Sequence, residues 1–465
     1  MRLPRLMIAG AGSGCGKTTV TCGMLRLLQR KGMRPSSFKC GPDYIDPLYH
    51  REVLGINSRN LDSFFCSESQ LRENLCRGAR GCDIAVIEGV MGYYDGLGTE
   101  TPTSCAEIAD MTRTPVLLIL DAAGRSASAL AELQGFLDYR EEGGWIAGVI
   151  FNRLSPMLYD DLASGAEAMG VKPCGYLRRD DSHRFESRHL GLTLPGERND
   201  FQEEIDTLAD RLAQTVDMDA VLELAKRAED IEEQSGSMQA AGTCSSTVCR
   251  NAADRVRIAL AKDAAFCFCY TENIEYLESL GCRIIPFSPL KDSGIPDCDG
   301  MILPGGYPEL YAGQLSENRP MLESVRKAVR EGLPTIAECG GYLYLHEELT
   351  DAEGNSYAMA GAVSAKCHFE GFQRQFGYVS ITTARDGIFG KKGTSCKGHE
   401  FHYFVSDSRG QDVLCEKPGG GRSWRGGIIN AALYAGFTHL WLPSGPEAVR
   451  SFINACTKGR DSWNG

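Results

Sequence analysis

Residues 7–19 read Met-Ile-Ala-Gly-Ala-Gly-Ser-Gly-Cys-Gly-Lys-Thr-Thr, and they decide the fold of the first part of the chain. The apolar start predicts a short buried strand, the glycine-rich run predicts a loop, and Lys-Thr-Thr predicts the start of a helix. The register is A-x-x-x-x-G-K-T, so Ala11 occupies the first glycine position of the strict phosphate-loop pattern. Glycine backbone N–H groups can turn inward on an anion, and a helix N-terminus adds positive partial charge. The stretch therefore predicts a site for nucleotide phosphates.

The polar residues of this loop have expected roles. Lys17 can reach the outer phosphates, and the hydroxyl of Thr18 can ligate Mg²⁺. A plain glycine-rich turn between a strand and a helix is the alternative, and Gly-Lys-Thr after an apolar strand disfavours it. We expect the ATP-binding residues of the loop to be Gly12, Gly14, Gly16, Lys17, Thr18 and Thr19.

Charged side chains follow two further predicted strands. Residues 38–47 end a strand in a loop with one lysine and two aspartates, and residues 83–88 form an apolar strand that ends in a glutamate. The carboxyl ends of parallel strands form the ligand-binding edge of a doubly wound sheet, and a strand-end acid there has the layout of a Walker-B carboxylate. The alternative is that both aspartates form turns beside prolines. We expect the metal at Thr18, Asp43 and Glu88, and the substrate at Lys39 and Asp46.

Two more apolar runs, 116–121 and 146–151, predict further strands of the same sheet. Near-continuous apolar runs are typical of parallel strands that are covered on both faces. Helical stretches at 127–139 and 160–169 alternate with the strands. This order predicts an α/β doubly wound domain.

A polar cluster at 184–192 contains two arginines and a histidine. Such a group can grip a polyanion, for example a substrate with several carboxylates. A structural role is equally open, because a lone histidine is usually structural. We retain Arg188 and His189 as candidate substrate residues.

The bulk composition limits the class of protein. The chain has 465 residues, a net charge of −12 and 19 cysteines. This length predicts two or three domains, and the acidic balance argues against nucleic-acid binding. No apolar run approaches the ~20 residues of a membrane span, and the early apolar run is the loop's strand rather than a signal peptide. Cysteines without framework spacing indicate free thiols and a cytoplasmic protein. Residues 199–230 read as helical. The stretch 231–253 predicts a linker between domains at 1–230 and 254–460.

The second half of the sequence predicts another α/β unit with its own reactive residue. Cys339 lies where the apolar strand 334–338 meets a helix, between small residues. This is the setting of a nucleophile elbow, in which we expect the helix dipole to lower the thiol pKa. Backbone N–H groups of Gly340 and Gly306 are expected to form an oxyanion hole. The alternative is an inert buried thiol at a strand end.

A nucleophilic thiol needs a base, and the second half offers several histidines. His346 follows the elbow closely and is expected to be ordinary. The candidates are His346, His368, His399, His402 and His439. Spacing alone does not choose between His399, in the segment 398–402, and His439.

Over essentially its whole length, the sequence resembles the glutamine amidotransferases of corrinoid biosynthesis known as cobyrinate a,c-diamide synthases. The block 41–47 is the most specific, since the related cobyric acid synthases carry a different stretch there. The motifs that carry the resemblance are Gly14-x-Gly16-Lys17-Thr18-Thr19, the segment 38–47, Glu88-Gly89-Val90-Met91-Gly92, Arg188-His189-Leu190-Gly191-Leu192, Gly305-Gly306-Tyr307-Pro308-Glu309 and Gly398-His399-Glu400-Phe401-His402.

The resemblance implies two α/β domains: an N-terminal phosphate-loop NTPase domain similar to dethiobiotin synthetase, and a C-terminal class I glutamine amidotransferase domain of flavodoxin-like type. It assigns the nucleophile to Cys339 and the activating base to His439, and it places Asn152 against adenine. Other class I enzymes carry a glutamate two residues after the histidine. Here that position is Trp441, so the resemblance leaves open what orients His439.

The resemblance also implies a reaction. Cys339 attacks the side-chain amide of glutamine, and the ammonia released passes internally to the first domain. There ATP with Mg²⁺ phosphorylates the a and c carboxylates of the macrocycle, and ammonia displaces phosphate. The implied small-molecule partners are L-glutamine, ATP and cobyrinate, with hydrogenobyrinate or Ni-sirohydrochlorin as alternative substrates. Neither nucleic acid nor a membrane is expected as a partner, and a homodimer is compatible with the sequence.

Two rival interpretations are weaker. A partitioning-type ATPase would have its signature lysine at Gly12, and it would leave the second half unexplained. A vestigial glutaminase half would leave an enzyme that uses free ammonia. The Cys339→Ala variant tests this second interpretation. If the glutaminase half is active, the variant should lose the glutamine-dependent reaction and keep the ammonia-dependent one.

Overall fold

The computed structural model describes residues 2–98, 101–139, 144–179, 187–188, 191–192, 201–231, 255–372 and 375–463. The chain divides into two compact units, Met1–Ser237 and Met238–Gly465. The predicted linker 231–253 lies outside the described residues except for Ile231. The domain boundaries therefore stay a prediction.

A parallel sheet forms the centre of the first unit. Its strands are β1 (Arg5–Gly10), β2 (Pro35–Cys40), β3 (Ser58–Leu61), β4 (Ile84–Glu88), β5 (Val116–Asp121), β6 (Ile146–Asn152) and β7 (Lys172–Tyr176). Across the described residues their order is β3-β2-β4-β1-β5-β6-β7, and every neighbouring pair is parallel. The predicted parallel α/β sheet is confirmed.

Helices follow the strands of this sheet. They are α1 (Lys17–Arg30), α2 (Ile45–Glu52), α3 (Glu68–Gly78), α4 (Cys105–Thr112), α5 (Ala127–Asp138), α6 (Tyr159–Ala168), α7 (Phe201–Thr215) and α8 (Met218–Lys226). A short ribbon pairs β8 (Ser187–Arg188) with β9 (Gly191–Leu192).

Helix α1 shows how the apolar pattern becomes packing. Val20, Met24 and Leu28 recur at helical spacing and are buried in the core. Helix α7 lies close against α1, because a Cβ atom on Gly23 would stand 2.2 Å from Cδ1 of Leu212. The missing side chain lets the two helices approach, and buried apolar area of this kind stabilises the fold by about 25 cal/mol per Å².

The segment 199–230, which the sequence predicts to be helical, is divided between α7 and α8. Helix α7 ends at Thr215, and the Asp217 side chain then accepts hydrogen bonds from the N–H groups of Asp219 and Ala220 at 3.1 and 2.9 Å. A side-chain oxygen that satisfies N-terminal N–H groups starts a new helix. The capping aspartate was the available signal for the boundary.

The second unit contains parallel and antiparallel sheets. Its strands are β10 (Arg257–Ala261), β11 (Arg283–Phe287), β12 (Gly300–Leu303), β13 (Thr335–Glu338), β14 (Glu348–Thr350), β15 (Ser356–Ala358), β16 (Lys366–Phe369), β17 (Phe376–Thr383), β18 (Ser395–Phe401), β19 (Phe404–Ser406), β20 (Val413–Glu416), β21 (Ser423–Gly426), β22 (Ile428–Ile429), β23 (Leu433–Gly436) and β24 (His439–Trp441). Its helices are α9 (Thr271–Ser279), α10 (Ala312–Glu317), α11 (Arg319–Arg330), α12 (Gly340–Leu345) and α13 (Pro446–Trp463).

Two of these sheets position the reactive residues. The order β11-β10-β12-β13-β23-β22 is parallel from β11 to β23, and it carries Cys339 directly after β13. The order β21-β20-β17-β18-β24 is antiparallel and ends at the strand that begins with His439. Within the described ranges, no helix has both the length and the apolar character needed to cross a membrane.

Candidate active sites

The glycine-rich loop of the first unit has the backbone form that its sequence predicts. Gly14 and Gly16 have φ values of 75° and 102°, a left-handed region that glycine enters at little cost. Helix α1 begins immediately afterwards, at Lys17. The Lys17 ammonium donates hydrogen bonds to the carbonyl oxygens of Gly12 at 2.9 Å and Met91 at 2.6 Å. The lysine thus links this loop to the loop after β4, and Thr19 follows in the first turn of α1.

Thr18, Glu88 and Lys39 converge beneath the loop. The Thr18 hydroxyl donates to Oε1 of Glu88 at 2.6 Å, and the Lys39 ammonium donates to the same oxygen at 2.9 Å. Glu88 is fully buried, and burial, together with the nearby carboxylate of Asp46, raises the pKa of Glu88 to about 8. The predicted Walker-B residue therefore lies within hydrogen-bonding reach of the loop threonine.

Lys39 also forms an ion pair with Asp46. Burial alone would lower the pKa of Lys39, but the carboxylates of Asp46 and Glu88 outweigh it and hold that pKa well above its usual value. Burial alone would raise the pKa of Asp46, but Lys39 outweighs it and the pKa is lowered. Removal of one member of such a buried ion pair would leave an uncompensated charge, which is strongly destabilising. The two predicted substrate residues are thus in direct contact with each other.

Asp43 performs the turn role that the sequence left open. Its Oδ1 accepts hydrogen bonds from the N–H groups of Ile45 at 2.7 Å and Asp46 at 3.4 Å, at the start of α2. Burial raises the pKa of Asp43 to about 6. Its metal-ligand role stays a prediction. Across the described part of the chain, no group of three His, Cys, Asp or Glu side chains is arranged to hold a metal ion by itself.

His50 is a member of this cluster that the sequence analysis did not predict. Its ring contacts the hydroxyl of Ser37 at 2.7 Å and lies 3.5 Å from Oε2 of Glu88. Burial lowers the pKa of His50 to about 4, so the ring is neutral at pH 7. The available signal was helical spacing, because His50 follows Asp46 by one turn and shares its face.

The predicted adenine contact, Asn152, lies against the glycine-rich loop. Its side-chain amide donates to the carbonyl of Cys15 at 2.8 Å, and its oxygen accepts from the N–H of Arg153 at 2.9 Å. Its role toward adenine stays a prediction. Arg188 lies in the β8–β9 ribbon, while its side chain and the whole of His189 lie outside the described residues.

Cys339 adopts the strained backbone of a nucleophile elbow. Its φ is 43°, in the left-handed region that non-glycine residues rarely occupy, and it joins β13 to α12. Such strain persists where the surrounding structure enforces it, often at active sites. The expectation of a lowered thiol pKa is wrong. Burial, with a further contribution from the Glu309 carboxylate, raises the pKa of Cys339, and it outweighs the short helix that follows.

The structure brings His439 to the predicted oxyanion loop. A Cβ atom on Gly305 would lie 2.1 Å from Cε1 of His439, so the imidazole rests against the Gly305 backbone. A Cβ atom on Gly340 would lie 3.0 Å from the backbone nitrogen of Gly306. The N–H groups predicted to bind an oxyanion are therefore close together beside Cys339. Gly305 has to be glycine because any side chain would displace the imidazole.

The other histidines have contacts of their own. His399 is opposite His439 in the β18–β24 pairing, and burial lowers the pKa of each to about 3. His346 is held by the Tyr342 carbonyl and the Ser406 hydroxyl at 2.7 Å each. The remaining two have separate contacts: His402 to the carbonyl of Phe404, and the half-exposed His368 near Asp407. The contact with Gly305 favours His439 as the base.

Comparisons with known proteins define the class first. Residues 6–193 match the family described as the CobQ/CobB/MinD/ParA nucleotide binding domain, and residues 257–446 match the CobB/CobQ-like glutamine amidotransferase domain. A nucleotide-binding α/β domain followed by a glutaminase-type domain is the class that both sites define.

Curated relatives identify the family. Cobyrinate a,c-diamide synthases from Listeria innocua and Caldanaerobacter subterraneus are each 36% identical over 97% of this chain and 99% and 98% of their own length. The Salmonella typhimurium enzyme of the same name is 37% identical over 97% of this chain and 98% of its own. The chain belongs to the cobyrinate a,c-diamide synthase family.

Proposed function

We propose that this protein amidates the a and c side-chain carboxylates of cobyrinate, using ATP and glutamine. The observation that supports this most is the presence of two reaction centres in one chain: a phosphate loop with Thr18, Glu88 and Lys39 in contact, and a Cys339 elbow with His439 at the oxyanion loop. The relatives that match over nearly the whole chain carry the name of this reaction.

In the first unit, the loop N–H groups and Lys17 bind the nucleotide phosphates. Thr18 and Glu88 present hydroxyl and carboxylate oxygens 2.6 Å apart, the donor type that Mg²⁺ prefers, so these two residues would hold the ion, with Asp43 as a further candidate. Mg²⁺ neutralises phosphate charge when it is bound. Lys39 and Asp46 orient the substrate carboxylate. An acyl phosphate forms on that carboxylate, because an unactivated carboxylate would have to expel oxide.

In the second unit, His439 takes the thiol proton as Cys339 attacks the side-chain amide of glutamine. The N–H groups of Gly340 and Gly306 bind the oxyanion, and the thioester is hydrolysed to glutamate. Because burial raises the thiol pKa and lowers that of His439, both are neutral at rest and proton transfer accompanies attack. The ammonia released displaces phosphate from the acyl phosphate and gives the amide.

The test is a mass measurement on purified protein with glutamine, ATP and Mg²⁺. Cobyrinate, hydrogenobyrinate and Ni-sirohydrochlorin are supplied separately. We expect a diamide from cobyrinate at the highest rate. If only another tetrapyrrole gives a diamide, the proposed substrate is wrong. If the mass of all three is unchanged, the proposed reaction is wrong.

A further inference from the structure

The position that carries the third triad acid in other class I enzymes is filled by an apolar anchor. Trp441 is 2% exposed, and its ring packs edge-on against Tyr270 at 5.0 Å. An indole in this place cannot receive an imidazole proton or orient the ring by charge. The strand that carries His439 then contributes to fixing its position.

That strand, β24, is the last strand of its sheet. One edge pairs with β18 through residues 439–441, and the other edge meets no strand in the described part of the sheet. Buried backbone N–H and C=O groups on such an edge need partners. Two side chains supply these partners.

The side chain of Asn273, in the first turn of α9, bonds this edge as a neighbouring strand would. Its side-chain nitrogen donates to the carbonyl of Leu440 at 2.8 Å, and its side-chain oxygen accepts from the N–H of Leu442 at 2.9 Å. The two hydrogen bonds join one planar amide to residues 440 and 442. They therefore fix both the distance between α9 and β24 and the register of β24 along it. A register shift of one residue would turn His439 to the opposite face.

Glu338 completes the edge from the nucleophile's side. Its Oε1 accepts from the N–H of Leu440 at 3.3 Å, and Glu338 directly precedes Cys339. A single side chain thus connects the strand of the base to the elbow of the nucleophile. Asn273 and Glu338 are each 5% exposed and line one small cavity with apolar walls, among them Ile336. Hydrogen bonds strengthen where water is excluded.

We propose that Asn273 and Glu338 are positioning residues that hold His439 in place for its reaction with Cys339 by bonding the outer edge of β24. This inference rests on the proposed glutaminase reaction. Burial raises the pKa of Glu338 to about 8, which agrees with a neutral carboxyl whose oxygen serves as an acceptor.

The experiment measures kcat and KM for glutamine hydrolysis in the full chain. Asn273→Leu keeps the side-chain volume in an apolar cavity but removes both bonds, and Glu338→Ala removes the third. Each should lower kcat about 10- to 100-fold with little change in KM, because a misplacement of about 1 Å in a catalytic group has that effect. Glu338→Gln retains a neutral acceptor oxygen and should restore kcat close to wild type. The control is Asn454→Ala, on the exposed face of α13.

The outcomes separate this inference from the proposed function. If the wild type hydrolyses no glutamine, the proposed function fails. If the wild type is active and both Asn273→Leu and Glu338→Ala retain its kcat, the positioning role is overturned. The positioning role is also overturned if the variants change KM rather than kcat. It is overturned as well if Glu338→Gln loses as much kcat as Glu338→Ala. Should Glu338→Ala fail to fold, the comparison of Asn273→Leu with the wild type decides.

Discussion

At the scale of single residues, we expect the thiol of Cys339 to be protonated at rest. Burial raises the pKa of Cys339, so its thiolate fraction should rise about tenfold per pH unit through the neutral range. We predict that inactivation of glutamine hydrolysis by iodoacetamide accelerates steadily from about pH 6 to about pH 9. A plateau that begins below about pH 8 would show a thiolate that is already stabilised, and would contradict this picture.

A second residue-scale prediction concerns the glycine beside the base. In Gly305→Ala, the new Cβ would stand 2.1 Å from Cε1 of His439, so the imidazole has to move. We predict that glutamine-dependent amidation falls at least about 100-fold while ammonia-dependent amidation is retained. The matched control is Gly313→Ala, where the nearest atom to the new Cβ is 3.7 Å away. Wild-type glutamine use by Gly305→Ala would remove His439 from the site.

At the scale of elements, His346 connects the end of α12 to β19. Burial lowers the pKa of His346 to about 4, from an ordinary value of 6.5. Between these values the unfolded chain binds a proton that the folded chain does not, so this histidine makes stability fall as pH falls from about 6.5 to about 4. His346→Gln lacks the effect. The difference in free energy of unfolding between wild type and variant should therefore narrow by up to about 1.4 kcal/mol per pH unit in that window.

Denaturant unfolding at several pH values measures this difference. The half-exposed His368 provides the control, since His368→Gln leaves the buried contacts of His346 in place. If the difference in free energy of unfolding between wild type and His346→Gln stays constant or widens on acidification, His346 is protonated in the folded protein and the prediction is wrong.

Helices, strands and loops could be predicted where a single local sequence pattern determines them. The glycine-rich loop, the apolar strands and the stripe of α1 follow from periodicity and glycine placement, and the structure has them at nearly the predicted bounds. The break before α8 was missed because the cap of Asp217 competes with a continuous helical pattern. The direction in which the Cys339 pKa is shifted was also predicted wrongly, because burial by segments distant in the chain is not visible in the local sequence.

Some contacts within the candidate sites could be expected from the sequence, and others could not. Lys39, Thr18 and Glu88 stand at strand and helix ends, so their meeting follows from parallel topology. The partnership of Asn273 with Leu440 and Leu442 joins segments about 170 positions apart in the chain. No spacing rule predicts it. Spacing alone left His399 and His439 open as the base. The family resemblance assigned that role to His439, and the contact with Gly305 favours the same residue.

At the scale of the whole molecule, the two reaction centres should be separable by mutation. Lys17→Ala removes the ammonium that we propose binds the nucleotide phosphates, so it should abolish amidation with either nitrogen source. Cys339→Ala should abolish only the glutamine-dependent reaction. The measurement is product formation with glutamine or with ammonium chloride for each variant. Loss of both activities in Cys339→Ala, with the fold intact, would contradict separate centres.

The most direct test follows nitrogen from one centre to the other. The wild-type protein receives cobyrinate, ATP, Mg²⁺ and glutamine labelled with ¹⁵N in its side-chain amide, and the product is analysed by mass spectrometry. The account predicts a diamide with ¹⁵N in both new amides, and no amide when ATP is omitted. Unchanged cobyrinate beside glutamate, or a diamide that forms without ATP, would contradict it.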